Sequence, residues 1–297
     1  MVEVGGLEPP TPALQRQCSP AELHPRSTTY VKRCYHITML IDSHVHIYPD
    51  DVADKVISGI ENFYGVRRTH DATLDALLAS LDRGGFDKAV VLPIATKPEH
   101  IKLNDWYADL AEKSNQIIPF GGIHPDNDAS ELDRFPALGL RGLKIQPNAQ
   151  RVFPADERLM PFYEKAIENG LIVTFHAGDE ESGFKGEFSH PRDFVPVLQR
   201  YPEMTTVLSH LGGFQTWADV DLVLGYPNVW YDTAHVPGSI SDEEIRKLTG
   251  KIGLDRIIFG SDFPFADHAV ELKELERIFG RDAETVVSRN PRRLLGL

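Results

Sequence analysis

Cysteine is almost missing from this chain: two in 297 residues, Cys18 and Cys34, both near the start. A disulfide framework is excluded, and thiol chemistry has no residue to perform it in the remainder of the chain. Positive charge is also short, with 31 Lys and Arg against 44 Asp and Glu and a formal net charge of −13. Such a chain lacks the basic footprint that nucleic acid or an anionic membrane surface demands. Long apolar runs are absent too. The longest, Ala89 to Ala95, is interrupted by Pro93, far below the roughly 18–20 residues of a membrane span. The expected compartment is the cytoplasm and the expected partner a small-molecule substrate; homo-oligomerisation is left open.

Residues 1–38 differ in character from the rest of the chain. They hold Pro9, Pro10, Pro12, Pro20, Pro25 and both cysteines, and show neither helical nor strand periodicity. No apolar run follows a basic start, as a secretory leader would require. An extension outside the fold is expected, poorly ordered or produced by a start placed upstream of a natural Met39. Peptides from upstream of Met39 in the native protein would contradict the second reading. The domain proper is expected over 39–297.

From Met39 onward, β-branched runs alternate with helical patterns. The expected strands are Met39–Asp42, Lys88–Pro93, Ile117–Ile123, Gly142–Gln146, Leu171–Phe175, Thr205–Ser209, Val229–Asp232 and Arg256–Gly260. Several are apolar at consecutive positions, as strands covered on both faces are. Between them, Leu74, Leu77, Leu78 and Leu81 follow helical spacing behind a cap at Asp71. Leu159, Tyr163, Ala166 and Ile167 do likewise before Gly170. Ser241 and Glu244 form a capping box ahead of Ile245 and Leu248, with Gly250 as the expected end. Pro191 suits a first helical position, although Pro196 argues for a late start or a kink. Strand–helix alternation with right-handed crossovers makes a parallel sheet. Eight repeats predict an α/β fold of the closed (β/α)8 barrel type; an open doubly wound sheet is the alternative.

Barrel active sites lie at the C-terminal strand ends, and the polar residues sort by that rule. His44 and His46 follow the first strand, Lys144 lies in the fourth, His176 ends the fifth, His210 ends the sixth and Asp262 follows the eighth. Two histidines one residue apart on extended chain point to the same side, so both can reach one metal ion. His176 adds a third nitrogen and Asp262 a carboxylate. Such a donor set suits zinc or another divalent transition metal, which acidifies its water to a pKa of about 7. Asp262 can accept that proton, and His210 can polarise a carbonyl or pass a proton. Singly, each residue has a bland reading: a short H-x-H by chance, a hydrogen-bonded histidine, an aspartate capping a turn. Their joint placement at separate strand ends argues for a site. His124 after the third strand, His235 after the seventh and Arg151 after the fourth are candidate substrate contacts. A surface ion pair is the simpler reading of Arg151. The glycine-rich segment Gly178 to Ser189 reads as a lid or as a solvated loop.

Asp42-Ser43-His44-Val45-His46, Gly142-Leu143-Lys144-Ile145-Gln146-Pro147, His176, Ser209-His210-Leu211-Gly212-Gly213, Gly260-Ser261-Asp262-Phe263-Pro264 and the terminal Asn290-Pro291-Arg292-Arg293-Leu294-Leu295 resemble the amidohydrolase superfamily. The likeness is to the amidohydrolase-related branch of metal-dependent hydrolases and non-oxidative decarboxylases. Pro291 departs from the usual alanine, away from the proposed ligands. The resemblance implies metal ligation by His44, His46, His176 and Asp262, with His210 as a catalytic group beside the metal. In binuclear members a carboxylated lysine bridges two metals. Lys144 then takes that place, with His176 and His210 on the second ion; in this branch one metal is the commoner arrangement, so a single divalent ion, zinc by donor type, is expected, with Lys144 a cation pairing with Asp262 or a substrate carboxylate. Three functions compete: hydrolysis of a small amide, lactone or ester by metal-activated water, decarboxylation of a small carboxylic acid, and a silent barrel. The complete donor set argues against the silent barrel.

Overall fold

The computed structural model describes residues 39–181 and 186–297. The expected extension, 1–38, and the centre of the expected lid, 182–185, lie outside the described residues. The strands are β1 (Ile41–Val45), β2 (Lys88–Val91), β3 (Ile117–Pro119), β4 (Gly121–Gly122), β5 (Gly142–Ile145), β6 (Ile172–Phe175), β7 (Thr206–Leu208), β8 (Val229–Asp232) and β9 (Ile257–Ile258). Every neighbouring pair runs parallel, in the orders β1-β2-β3 and β4 through β9. β3 and β4 are halves of one expected strand, parted at Phe120. The Phe120 N–H still donates to Val91 O at 3.1 Å, so the run continues the ring.

Backbone bonds close the other seam. Ser43 N–H donates to Phe259 O at 2.8 Å, Asp262 N–H to His44 O at 3.0 Å and His46 N–H to Phe263 O at 2.8 Å. Side-chain alternation fits a barrel as well. Ile41, Val90, Ile118, Ile172, Val207 and Ile258, drawn from strands around the ring, pack together as an inner apolar layer. The intervening residues, such as Leu143, Val173, Phe175, Leu208, Tyr231 and Phe259, join the larger cluster with the helices. Inward positions turn polar toward the strand ends: Ile172 is followed by Thr174 and His176, Val207 by Ser209, Ile258 by Gly260 and Asp262.

Local expectations needed adjusting at the edges. β1 covers Ile41–Val45 instead of Met39–Asp42, so His44 lies within the strand. A register irregularity between Asp42 and Val45 resets the alternation there. The helix Leu74–Gly84 is capped by Thr73, whose hydroxyl accepts from Ala76 N–H, not by Asp71. The capping box of Ser241 and Glu244 is present, but its helix runs past Gly250 to Ile252 before Gly253 ends it. His190 and Asp193 form a second capping box, and the helix Pro191–Arg200 carries Pro196 without interruption. Among the described residues, no helix is long and apolar enough to cross a membrane.

Candidate metal centre

His44 Nε2 and His46 Nε2 lie 3.1 Å apart, and each is 3.4 Å from Asp262 Oδ1. These three side chains offer ligand atoms that all lie within 4.8 Å of one another. Two donors held at about 2.0–2.1 Å by one tetrahedral zinc ion are themselves about 3.3 Å apart. The spacing therefore fits a shared cation.

The far side of each ring fixes where its proton sits. His44 Nδ1–H donates to Asp232 Oδ2 at 2.9 Å, and His46 Nδ1–H to the Leu92 carbonyl at 2.7 Å. Each neutral ring then turns the lone pair of Nε2 toward the other and toward a carboxylate. Three acceptors converge, and the donor in reach is Lys144 Nζ, 3.5 Å from His44 Nε2.

The same logic holds a second time. His176 Nε2–H faces the Asp179 carbonyl at 3.1 Å and Glu180 Oε1 at 3.2 Å. His210 Nδ1–H donates to the Ala234 carbonyl at 2.8 Å. His176 Nδ1 and His210 Nε2 are left facing each other as lone pairs, 3.1 Å apart. His176 thus stands with His210 and outside the group of three. Lys144 Nζ, also 3.3 Å from Ser209 Oγ, touches the first set from within the barrel. The rings of His44 and His210 are 5.4 Å apart, which joins the two sets.

Burial sets the protonation states. It pushes His176 and His210 down to a pKa of about 3, with Lys144 and His176 respectively adding repulsion. His46 is lowered mainly by burial too. Burial also brings Lys144 down to about 8, against the pull of Asp232 and Asp262. Burial works to raise Asp262 and Asp232, but the neighbouring histidines hold both below the ordinary carboxylate range. Neutral imidazoles and ionised carboxylates are the forms a cation needs.

Of six non-glycine residues with left-handed φ among those described, three belong here: His210 at 57°, His235 at 58° and Asp262 at 66°. Such backbone costs of order 1 kcal/mol per residue and survives where the surroundings impose it. All the donors open into one cavity of about 840 Å³. His235 lines it, donating from Nε2 to Glu181 at 2.6 Å. Burial works to lower its pKa, yet the Glu181 bond leaves it raised.

His124 and Arg151 do not line this cavity. The Asp126 N–H donates to His124 Nδ1, which ties the ring into its own loop. Arg151 takes the left-handed position that ends the helix Pro147–Gln150 and is exposed.

Several contributing residues carried no distinctive mark in the sequence. Asp232, fully buried, binds His44 and also accepts the His210 backbone N–H at 2.8 Å. Glu180 accepts from Gln146 Nε2 and Asn148 Nδ2, each at 2.9 Å. His100 lines the cavity, and its buried Nδ1 has no hydrogen-bond partner among the described residues. His268, also without an expected role, lies fully buried 2.9 Å from Asp42 Oδ2. Asp42 belonged to the first motif; Asp232 ends the expected strand Val229–Asp232, and His100, Glu180 and His268 lie outside the expected strands.

A parallel barrel with histidines and an aspartate at its strand ends is the architecture of the amidohydrolase-type TIM barrels. The amidohydrolase family model matches residues 41–297, and the chain belongs to that family. A search of curated proteins gives no match. Among solved structures, an uncharacterized TIM-barrel protein of Bordetella bronchiseptica is 18% identical, with a TM-score of 0.69 over 86% of this chain and 98% of that one. A Pseudomonas putida protein assigned as a 2-pyrone-4,6-dicarboxylic acid hydrolase is 18% identical, with a TM-score of 0.64 over 87% of this chain and 97% of that one. A 5-carboxyvanillate decarboxylase of Novosphingobium aromaticivorans, complexed with manganese, is 16% identical, with a TM-score of 0.65 over 87% and 96%. At these identities the likeness carries the fold. The neighbours include both hydrolases and decarboxylases.

Proposed function

We propose that this protein is a metal-dependent hydrolase of a small amide, lactone or ester. The observation that carries the reading is the convergence of acceptor atoms whose protons point away. Lone pairs and a carboxylate gathered in a buried place need a cation to offset their repulsion. In this reading His44, His46 and Asp262 hold the first divalent ion, zinc or manganese, and His176 and His210 a second. Lys144, between the sets, would link them if its neutral amine took up carbon dioxide and released a proton, giving a carbamate that can reach both ions. Bound divalent ions supply Lewis-acid polarisation of a carbonyl and a water acidic enough to ionise near neutral pH.

The side chains then divide the work. Asp262, ionised and partly open to the cavity, takes a proton at its carboxylate. With one ion only, His210 Nε2 is left free to polarise the carbonyl or return a proton to the leaving group. Asp232 orients His44 from behind. Glu180, buried and bonded to two amides, fixes the His176 ring.

Decarboxylation is the second reading, favoured by the decarboxylases among the structural neighbours. The lining of the cavity holds Lys55, Lys97 and Lys144, which can meet a carboxylate as point charges, but no arginine among the described residues, the guanidinium being the usual fork for a carboxylate. A screen of the metal-loaded protein with amides, esters and lactones beside aromatic carboxylic acids separates them. Acid release without carbon dioxide is the expected result. Carbon dioxide from the acids, with no hydrolysis, would transfer the assignment to the lyases.

A further inference from the structure

The reaction centre occupies one part of its cavity; much of the rest is walled by the helix Asp50–Tyr64. Val52, Val56, Gly59, Ile60, Phe63 and Tyr64 line the cavity, at the three- and four-residue spacing that aligns side chains on one helix face. The helix is anchored by Ala53 and Ile57, buried with Tyr48 and Ala72, and Val52, Val56 and Ile60 pack partly against that cluster. Its cavity face is left half-buried, and Phe63 is 65% exposed. Apolar surface open to solvent beside a reaction centre gains free energy when an apolar ligand covers it.

Gly59 sits in the middle of that face. A glycine within a helix is less favourable than alanine, and nothing in the helix geometry here calls for one. A Cβ built at Gly59 meets no atom of the described residues within 4 Å. The missing side chain leaves open space on the cavity wall without serving any packing contact.

We propose that this space is the subsite for an apolar part of the substrate, so that the substrate is an amide, ester or lactone bearing an alkyl or aryl group. The inference rests on the assignment of the metal centre as the place where the carbonyl reacts. The carbonyl lies at the histidines and Asp262, and the apolar group extends beneath the helix Asp50–Tyr64 past Gly59. Gly59 is a specificity-determining position and takes no part in the chemistry.

The test is binding, read apart from turnover. Straight-chain primary amides from acetamide to octanamide are titrated against the metal-loaded protein carrying the fluorescent probe 1-anilinonaphthalene-8-sulfonate, and displacement is measured. Affinity is expected to rise by about fourfold for each methylene fully buried. Gly59→Leu, which fills the space with a better helix former, is expected to fold with an undiminished Tm and to flatten that rise. Phe63→Ala, at an exposed position, is expected to weaken octanamide severalfold and leave acetamide unchanged. Wild-type affinity independent of chain length, absence of displaceable probe, or an unaltered series in both variants would overturn the subsite. Length-dependent binding without turnover of any amide, ester or lactone keeps the subsite and removes the hydrolase assignment. Turnover without length dependence does the reverse.

Discussion

Asp232 shows how much a residue can matter without touching the reacting atoms. Its two oxygens hold the His44 ring and the His210 backbone, so it fixes the tautomer of one donor and the position of another. Outer partners of this kind typically influence metal affinity by about 10–100-fold. Asp232→Asn is expected to lose affinity in that range with the fold intact, as measured by competition against a fluorescent chelator and circular dichroism. Unchanged affinity would show that His44 needs no such support. Asp232 was not singled out in the sequence because an aspartate closing a strand reads equally well as the start of a turn. Its inward register with Trp230 was the one sign on offer. His44, His46, His176, His210 and Asp262 were legible because strand ends in a barrel share one face, whereas His100 and Glu180 are brought in by loops whose paths no periodicity encodes.

Glu271 offers a pH test at the same scale. Burial raises its carboxyl to about 7, although His235 opposes the shift. The folded state therefore holds a proton that the unfolded state gives up near the ordinary glutamate pKa of about 4.3. Between these values stability falls as pH rises, and the loss is complete above pH 7. Glu271→Gln, which keeps the shape and drops the charge, is expected to raise Tm at pH 8 and leave it unchanged at pH 4. An equal Tm change at both values would contradict the assigned shift.

At the scale of elements, the eight expected strands are all present, because β-branched runs between turn residues mark buried parallel strands well. Their ends were less legible. The split at Phe120 and the irregularity after Asp42 arise from how neighbouring strands meet around the ring, which a single strand's residues do not reveal. Helix starts depend on local hydrogen bonds. The Ser241–Glu244 box was readable for that reason, while the cap expected at Asp71 is instead Thr73, two residues nearer the helix. Ser241→Ala removes the hydroxyl that accepts from Glu244 N–H, on the outer surface and away from the cavity. A loss of about 1 kcal/mol in chemical denaturation is expected, with metal content unchanged. A loss of metal would mean that this helix helps shape the site.

For the whole molecule, the barrel's value lies in bringing distant stretches of chain to one rim. The residues that meet in the first donor set are up to 218 positions apart in sequence, from His44 to Asp262. Nothing local to either predicts the meeting; the ring of strands does, closed by the bonds between β1 and the segment after β9. Ions that bind only the folded chain also stabilise it, by about 2.7 kcal/mol at a free concentration one-hundredfold above Kd. The formal charge of −13 concentrates cations near the surface and repels anions, in keeping with a metal-dependent site and a neutral, apolar substrate.

Elemental analysis of the purified, folded chain after equilibration with manganese or zinc and removal of loose ions tests the central claim most directly. The account predicts about two divalent ions per chain, from the tetrahedral spacing in each donor set. His210→Ala should keep one of them, and His44→Ala with Asp262→Ala should lose the first. A well-folded wild-type protein that retains no divalent ion would contradict it.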